Sequence, residues 1–152
     1  MRAASTPWRN ADRHRAVIAG WESSTMTTQS EKPGPSLEAM RSGPFVPGRN
    51  AVPAVLAVKH AHIRDRHVAP INALADRVAD AEGFPRGRVP YVDPQLGGAD
   101  AEVLALLDNP STKAEAGTGS GLLSLENDDP TARNCAKAYN NFGLTPRPNR
   151  RP

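Results

Sequence analysis

Apolar residues recur at helical spacing in the middle of the chain. Five of them stand at positions i, i+3, i+4, i+7 and i+8, namely Ile71, Leu74, Ala75, Val78 and Ala79. This spacing predicts an amphipathic helix that ends at Gly83, and Pro70 either interrupts the helical pattern or lies in the first turn of this helix. Residues 54–68 have a helical composition and predict a separate helix before Pro70.

Residues typical of helix ends predict a last helix near the end of the chain. Asp129 suits the N-cap position, Pro130 the first helical position, and Gly143 the position just past the end. The buried stripe of this helix is predicted to comprise Cys135, Ala136, Tyr139 and Phe142.

One segment predicts a strand. Residues 103–107 form a short continuous apolar run bounded by polar residues, which is typical of a fully buried strand in a parallel sheet. A turn-rich linker over 84–98 precedes this run, and a loop over 108–121 follows it. The order helix, helix, strand, loop, helix predicts the α/β class, with a sheet that is incomplete because it has one convincing strand.

Residues 1–50 lack sustained periodicity. Segment 23–48 is rich in Ser, Thr, Gly and Pro, so we expect a disordered or misassigned N-terminal extension. Met26 is a candidate for the true first residue, and a mitochondrial-type presequence is an alternative interpretation of the Arg-rich start. We predict a folded part over 51–145 and a basic, Pro-rich tail over 146–152.

The amino-acid composition excludes several classes of protein. The chain has 152 residues, of which 38% are hydrophobic, below the roughly 45–50% apolar share of globular domains. No window approaches the ~20 apolar residues that span a bilayer. The single cysteine, Cys135, excludes an intramolecular disulfide and a Cys-based metal cage. We therefore expect a partly globular, cytoplasmic protein with no membrane partner.

The positive charge is concentrated at the two ends. The net charge is +3, from 19 Lys and Arg against 16 Asp and Glu. Four Arg and one Asp lie in the first fifteen residues, and no acid follows Asp129. Basic ends fit an anionic partner such as nucleic acid, while solvated tails without a partner are the alternative.

Three local features resemble reactive sites but have simpler interpretations. His60, His62 and His67 do not converge on one helical face, which favours a solvated helix surface over a metal site. The Gly-rich segment 117–121 lacks the Lys and the strand–helix junction of a phosphate-binding loop. Cys135 has no His near it in sequence and is interpreted as a buried structural thiol.

The end of the predicted strand is the most informative candidate for chemistry. Ligands in open α/β sheets bind beyond the carboxyl ends of strands, where Leu107 leads into Asp108, Asn109 and Pro110. A carboxylate there can orient water or stabilise positive charge on a sugar. The same residues are also good turn formers, so a turn without chemistry is the alternative.

Six sequence blocks between positions 67 and 134 carry a family resemblance. They are HVAPIN (67–72), VPYVDP (89–94), GGADAEVL (97–104), LLDNP (106–110), SGLLS (120–124) and NDDPTARN (127–134). Together they resemble the bacterial uracil-DNA glycosylase-like proteins of the uracil-DNA glycosylase superfamily, over roughly half of the chain. The resemblance implies an incomplete α/β/α sandwich that flips uracil from DNA and hydrolyses its N-glycosidic bond without a metal or other cofactor.

The resemblance implies roles for matching positions. Asp108 stands at the family's acidic residue, which activates water or stabilises the oxocarbenium-like sugar. Leu122 stands where the family usually has a Phe that stacks on the flipped base. The other implied base-binding residues are Asn109, Pro110, Gly121 and Ser124. Lys113 and Arg133 are candidates for contacts with the phosphates of uracil-containing DNA.

Departures from the family pattern predict poor catalysis. Asp108 in place of Glu withdraws the carboxylate by one methylene, and a misplacement of ~1 Å can cost on the order of 10²-fold in rate. Asn109 and Ser111 replace small residues, and Leu122 in place of Phe forfeits stacking of about 1–3 kcal/mol per base. The family's later Asn-bearing strand and His motif have no counterpart after Leu144, so we expect a truncated, monomeric protein with weak or no activity. The alternatives are a non-enzymatic nucleic-acid-binding protein and a chain without a stable fold.

Overall fold

The structure, a computed structural model, describes residues 34–144 and belongs to the mixed α/β class. Its helices are α1 (Leu37–Ser42), α2 (Pro53–Ala61), α3 (Ala69–Ala81) and α4 (Pro130–Asn141), and its strands are β1 (Tyr91–Val92) and β2 (Leu122–Leu123). Single 3-10 turns lie at Arg49–Ala51 and Gly98–Asp100. None of the described helices has the length and apolar character needed to cross a membrane. The predictions for residues 1–33 and for the tail lie outside the described residues.

Local signals located the two long helices. Helix α3 has Pro70 in its first turn and ends before Gly83, whose φ of +69° is a left-handed conformation that favours glycine. Helix α4 begins after Asp129, whose carboxylate accepts a hydrogen bond from Ala132 N at 2.9 Å. Both predicted helices are confirmed. The earlier predicted helix is shorter than residues 54–68, because α2 ends at Ala61 and turns follow it.

The buried face of α4 differs from the predicted stripe. Ala132 and Ala136 are buried, whereas Cys135 and Tyr139 are half-buried. Phe142 lies beyond the last helical residue and is 77% exposed, so its prediction as a core residue is wrong.

Ordered structure begins before the predicted boundary at residue 51. Helix α1 is capped by Ser36 and buries Leu37 and Met40, which pack against Val55 of α2. Phe45 is also buried, and both its N–H and its C=O pair with the amide of Asn140 at 3.1 and 2.9 Å. The predicted extension over 1–50 therefore includes residues that contribute to the core.

The predicted buried strand over 103–107 is wrong. No residue from 101 to 110 belongs to a helix or strand, and all ten are exposed. Within residues 34–144, none of the backbone or side-chain groups of 102–110 has a hydrogen-bond partner. An apolar run indicates a preference for burial, but burial also requires a neighbouring strand, and the described part of the chain supplies none.

Two short segments outside the predicted strand form a parallel sheet. Tyr91 pairs with Leu122 and Val92 with Leu123. Tyr91 N donates to Gly121 O at 3.0 Å, and Asp93 N donates to Leu123 O at 3.2 Å. Strand β1 lies in the predicted linker 84–98, and β2 directly follows the predicted loop.

Polar side chains close both outer edges of this sheet. At β1, Val92 N donates to Asn72 Oδ1 at 2.7 Å, and Asn72 Nδ2 donates to Val92 O at 3.3 Å. At β2, Leu122 N donates to Ser120 Oγ at 3.1 Å, and Asn127 Nδ2 donates to Leu122 O at 2.9 Å. These side chains take the hydrogen bonds that further strands would make, which limits the described sheet to two strands.

We predict that Asn72→Ala lowers the free energy of unfolding by about 2–3 kcal/mol, because it leaves the partly buried N–H and C=O of Val92 unpaired. Urea unfolding followed by circular dichroism measures this change. Asn141→Ala, at the exposed end of α4, is the matched control and should leave stability unchanged. A difference below about 0.5 kcal/mol between the two variants would show that the edge contact is dispensable.

Candidate functional site

The carboxyl ends of the two parallel strands bring Asp93 and Ser124 together. Asp93 directly follows β1, and Ser124 directly follows β2. Ser124 Oγ donates a hydrogen bond to Asp93 Oδ2, and both residues are buried. This is the edge at which parallel sheets bind ligands, so it defines the candidate site.

Helix α2 inserts a lysine into the same place. Lys59 lies one helical turn after the buried Val55, so both residues lie on the inward face of α2. Lys59 Nζ donates to Asp93 Oδ2 at 2.7 Å and to Glu126 Oε2 at 2.9 Å. The three side chains are at most 1% exposed. A fully buried lysine is rare unless it is paired, and here it has two carboxylate partners.

Further contacts satisfy the two carboxylates. Glu126 Oε1 accepts from Val46 N at 2.8 Å and lies 3.2 Å from Arg49 Nη1. Asp93 Oδ1 accepts from Gln95 N at 2.8 Å. We call Lys59, Asp93 and Glu126 the buried ion cluster. With the partly exposed Arg49 beside Glu126, two cations balance two anions, which is the condition for burying charge at moderate cost.

The cluster is arranged for positioning rather than for nucleophilic attack. A serine nucleophile has to be reached by its substrate and needs a base that removes its proton. Ser124 is buried, and the carboxylate that accepts its hydrogen bond, Asp93, is already paired with Lys59. Within residues 34–144, no group of three or more His, Cys, Asp and Glu side chains is placed to hold a metal ion. The cluster therefore holds α2 and the two strand ends in fixed relation.

A second polar group lies at the start of β1. Tyr91 donates its hydroxyl proton to Asp76 Oδ1 at 2.6 Å, and Arg64 Nη2 donates to Asp76 Oδ2 at 2.6 Å. The Tyr91 hydrogen bond, helped by Arg64, holds the pKa of Asp76 below its usual value, although burial opposes this shift. Burial and the hydrogen bond to Asp76 raise the pKa of Tyr91. The donor and acceptor roles of this pair are thus stable near neutral pH.

Some of the predicted base-binding residues lie together at β2. Gly121 O accepts from Tyr91 N, Leu122 is fully buried inside the sheet layer, and Ser124 belongs to the strand-end site. In this conformation Leu122 presents no surface on which a base could stack. The role of Leu122 in stacking on a flipped base remains a prediction, and it requires a change of conformation.

The predicted acidic residue lies elsewhere. Asp108, Asn109 and Pro110 are exposed and have no hydrogen-bond partner within residues 34–144. No described contact joins Asp108 to Leu122 or Ser124. Sequence adjacency to the apolar run placed Asp108 at a strand end, but that run is not a strand in the structure.

The two predicted phosphate contacts have different surroundings. Lys113 is exposed, and its backbone carbonyl accepts from Ser120 N at 2.8 Å. Arg133 pairs with Asp128 at 2.8 Å, and both side chains are more than half exposed. The charge of Arg133 is therefore partly compensated by its neighbour.

The histidines take separate structural roles. His67 was expected on a solvated surface but is buried, with Nε2 2.9 Å from Pro94 O. His60 Nε2 lies 2.8 Å from Ser120 O, and His62 pairs with Asp65. Two of the three therefore contact backbone carbonyls next to the strands.

Sequence reasoning missed Lys59, Asp93 and Glu126. A weak signal was present, because Lys59 interrupts an otherwise apolar stretch of α2 and Asp93 follows two residues suited to a strand. Their partnership joins positions 34 and 67 residues apart, which no local pattern indicates.

Comparison of the chain with protein-family models, with curated proteins and with solved structures finds no match. The candidate site is therefore argued from this chain's own residues.

We predict that Lys59→Met lowers the free energy of unfolding by about 3–5 kcal/mol, because it leaves the buried Asp93 carboxylate without a cation and Glu126 with Arg49 alone. Lys137→Met on the exposed face of α4 removes an equal charge from the surface and should change stability by less than about 0.5 kcal/mol. Urea unfolding monitored at 222 nm compares the variants. Equal stability of the two would contradict the role of the buried ion cluster.

Proposed function

We propose that the chain is a uracil-DNA glycosylase-like protein of the α/β/α type, with weak or no activity in base excision. The observation that carries this proposal is the convergence of the sequence blocks that resemble the family. Five of the six blocks contact one another around the parallel strand pair, and they come from three separate stretches of the chain, 67–72, 89–104 and 120–134. A chance resemblance of scattered segments would not require such convergence.

The first three blocks are joined by hydrogen bonds that are buried or partly buried. His67 lies 2.9 Å from Pro94 O, and Ala99 N donates to the carbonyl of His67 at 2.6 Å. Asn72, from the same block as His67, pairs with both backbone groups of Val92. Residues of the HVAPIN block therefore make hydrogen bonds to both the VPYVDP and the GGADAEVL block.

The later blocks attach to the same strand pair. The SGLLS block contributes β2, which pairs in parallel with β1 of the VPYVDP block. Asn127 of the NDDPTARN block donates to Leu122 O at 2.9 Å, and Asp129 of that block caps α4. Parallel strands with helices before and after them are the arrangement from which an α/β/α sandwich is built.

The expected chemistry is hydrolysis of the bond between uracil and C1′ of deoxyribose. The base departs with the bonding electrons, water adds to C1′, and the Asp108 carboxylate stabilises the positive sugar or accepts the proton of the water. The exposed position of Asp108 supports a low rate, because a carboxylate with no contacts to hold it is poorly oriented. The burial of Leu122 supports it as well, since the base lacks a stacking surface.

We predict slow release of uracil from a single-stranded oligonucleotide incubated with excess protein and cleaved with alkali. Asp108→Asn should reduce the rate by about 10²-fold, because it removes the charge that acts on the sugar or the water. Asp100→Asn, an equally exposed carboxylate nearby, is the matched control and should retain the rate.

Three results would overturn parts of this proposal. Equal rates for wild type and Asp108→Asn would exclude the role of Asp108. Multiple turnover within minutes would contradict the low activity. Absence of release, combined with equal affinity for uracil-containing and thymine-containing strands, would contradict the glycosylase assignment itself.

A second candidate function, nucleic-acid binding without chemistry, is favoured by the distribution of charge. Residues 34–144 contain 11 Lys and Arg against 13 Asp and Glu, a net charge of −2. Segment 145–152 contains three Arg and no acid, and residues 1–33 contain five basic residues and three acids. The net positive charge thus lies outside residues 34–144, which fits phosphate binding by the two ends of the chain.

We predict that replacing Arg147, Arg150 and Arg151 by Ala reduces the slope of log affinity against log salt by about 2 for single-stranded DNA. Each neutralised phosphate contributes about 0.7 to this slope. The matched control replaces Arg66, Arg77 and Lys137, which are exposed and have no salt bridge within residues 34–144. An equal reduction in the control would assign DNA binding to residues 34–144 instead.

A further inference from the structure

The apolar side chains of residues 103–107 are largely exposed to solvent. Val103 and Leu107 are 63% and 60% exposed, and Leu104 and Leu106 are 82% and 85% exposed. Single exposed apolar side chains are ordinary, but contiguous ones mark interaction surfaces.

The backbone of this segment is equally available. From 103 to 107 the chain contains no turn or bend. None of its N–H and C=O groups has a partner within residues 34–144. Such a row of unpaired groups is a template for pairing with another strand.

The described sheet offers no place for this segment. Successive side chains of a strand point to opposite faces, and here both faces are apolar: Val103, Ala105 and Leu107 form one, Leu104 and Leu106 the other. Both outer edges of the sheet are already occupied, by Asn72 at β1 and by Ser120 with Asn127 at β2. A strand that pairs with this segment therefore comes from outside residues 34–144.

The charges around the segment select the kind of partner. Between Arg88 and Lys113 the chain has no basic residue, and the exposed acids Asp100, Glu102 and Asp108 frame the apolar run. Antiparallel pairing of two copies about Ala105 would place Glu102 opposite Asp108 twice, and parallel pairing in register would place identical acids side by side. Like charges in opposed positions destabilise strand pairs, whereas opposite charges stabilise them.

We propose that residues 102–108 form a docking strand for an extended apolar segment of another polypeptide that is flanked by Lys or Arg. The partner pairs with the free backbone of the docking strand, and its basic flanks contact Glu102 and Asp108. Recognition by added strands of this kind combines main-chain hydrogen bonds with side-chain selectivity. This inference is independent of the glycosylase proposal.

The test uses the full chain and a fluorescein-labelled peptide, Lys-Val-Thr-Val-Ile-Val-Lys, with blocked ends, whose two Lys are six residues apart, as Glu102 and Asp108 are. We predict saturable binding by anisotropy, and about tenfold weaker binding of the peptide with Glu in place of both Lys, because two favourable charge pairs become unfavourable. Glu102→Gln combined with Asp108→Asn should bring the affinities of the two peptides together.

Backbone pairing is tested at the centre of the docking strand. Ala105→Pro removes an N–H and is incompatible with an internal strand position, so we expect at least about tenfold weaker binding. Ala105→Ser keeps the backbone and should bind as the wild type does. Because residue 105 is exposed and unpaired within residues 34–144, both variants should retain the wild-type circular dichroism spectrum.

The proposal is overturned by equal affinity for the two peptides, by undiminished binding to a folded Ala105→Pro variant, or by no binding to either peptide. Dimerisation of the wild-type chain that Ala105→Pro abolishes would likewise overturn it, in favour of a second copy as the occupant. Sedimentation velocity of the same samples distinguishes that outcome.

Discussion

The rest of the described structure depends on the ion pairs that the ammonium group of Lys59 makes with Asp93 and Glu126. This ammonium group connects α2 to the end of β1 through Asp93 and to the segment after β2 through Glu126. Removing such charges from water costs several kcal/mol per ion, so the arrangement is stable only while every partner is in place. Glu126 also binds Val46 and Arg49, which extends the dependence to the segment between α1 and α2.

Polar side chains determine much of the strand pairing and register, because the apolar core is small. The principal cluster of buried apolar residues comprises Leu37, Met40 and Val55 within the described part of the chain. Asn72 and Asn127 are buried as well, and each pairs with strand backbone. Buried amides that satisfy backbone groups define one register, because a shift by one residue would leave both partners unpaired. In this chain hydrogen bonds decide where the strands pair, and apolar burial alone does not.

The sequence predicted what local chemistry determines and missed what distant contacts determine. Helices α3 and α4 follow from spacing and from the cap at Asp129, all within a few residues. Strands β1 and β2 have two residues each, and they pair across 31 positions, so no periodicity marks them. The buried ion cluster was not predicted for the same reason, because Lys59 is buried only through its pairing with the distant residues Asp93 and Glu126.

The strongest apolar signal in the chain and its candidate catalytic residue belong to one segment. Residues 103–107 have the composition of a central strand, and Asp108 comes immediately after them. In the described conformation the strand is unformed and the carboxylate is free in solvent. Pairing of this segment with another strand would bury its apolar faces and place Asp108 at a strand's carboxyl end, where a ligand can be held. Poor orientation of the carboxylate and exposure of the apolar run therefore have one physical cause, which is the lack of a neighbouring strand within residues 34–144.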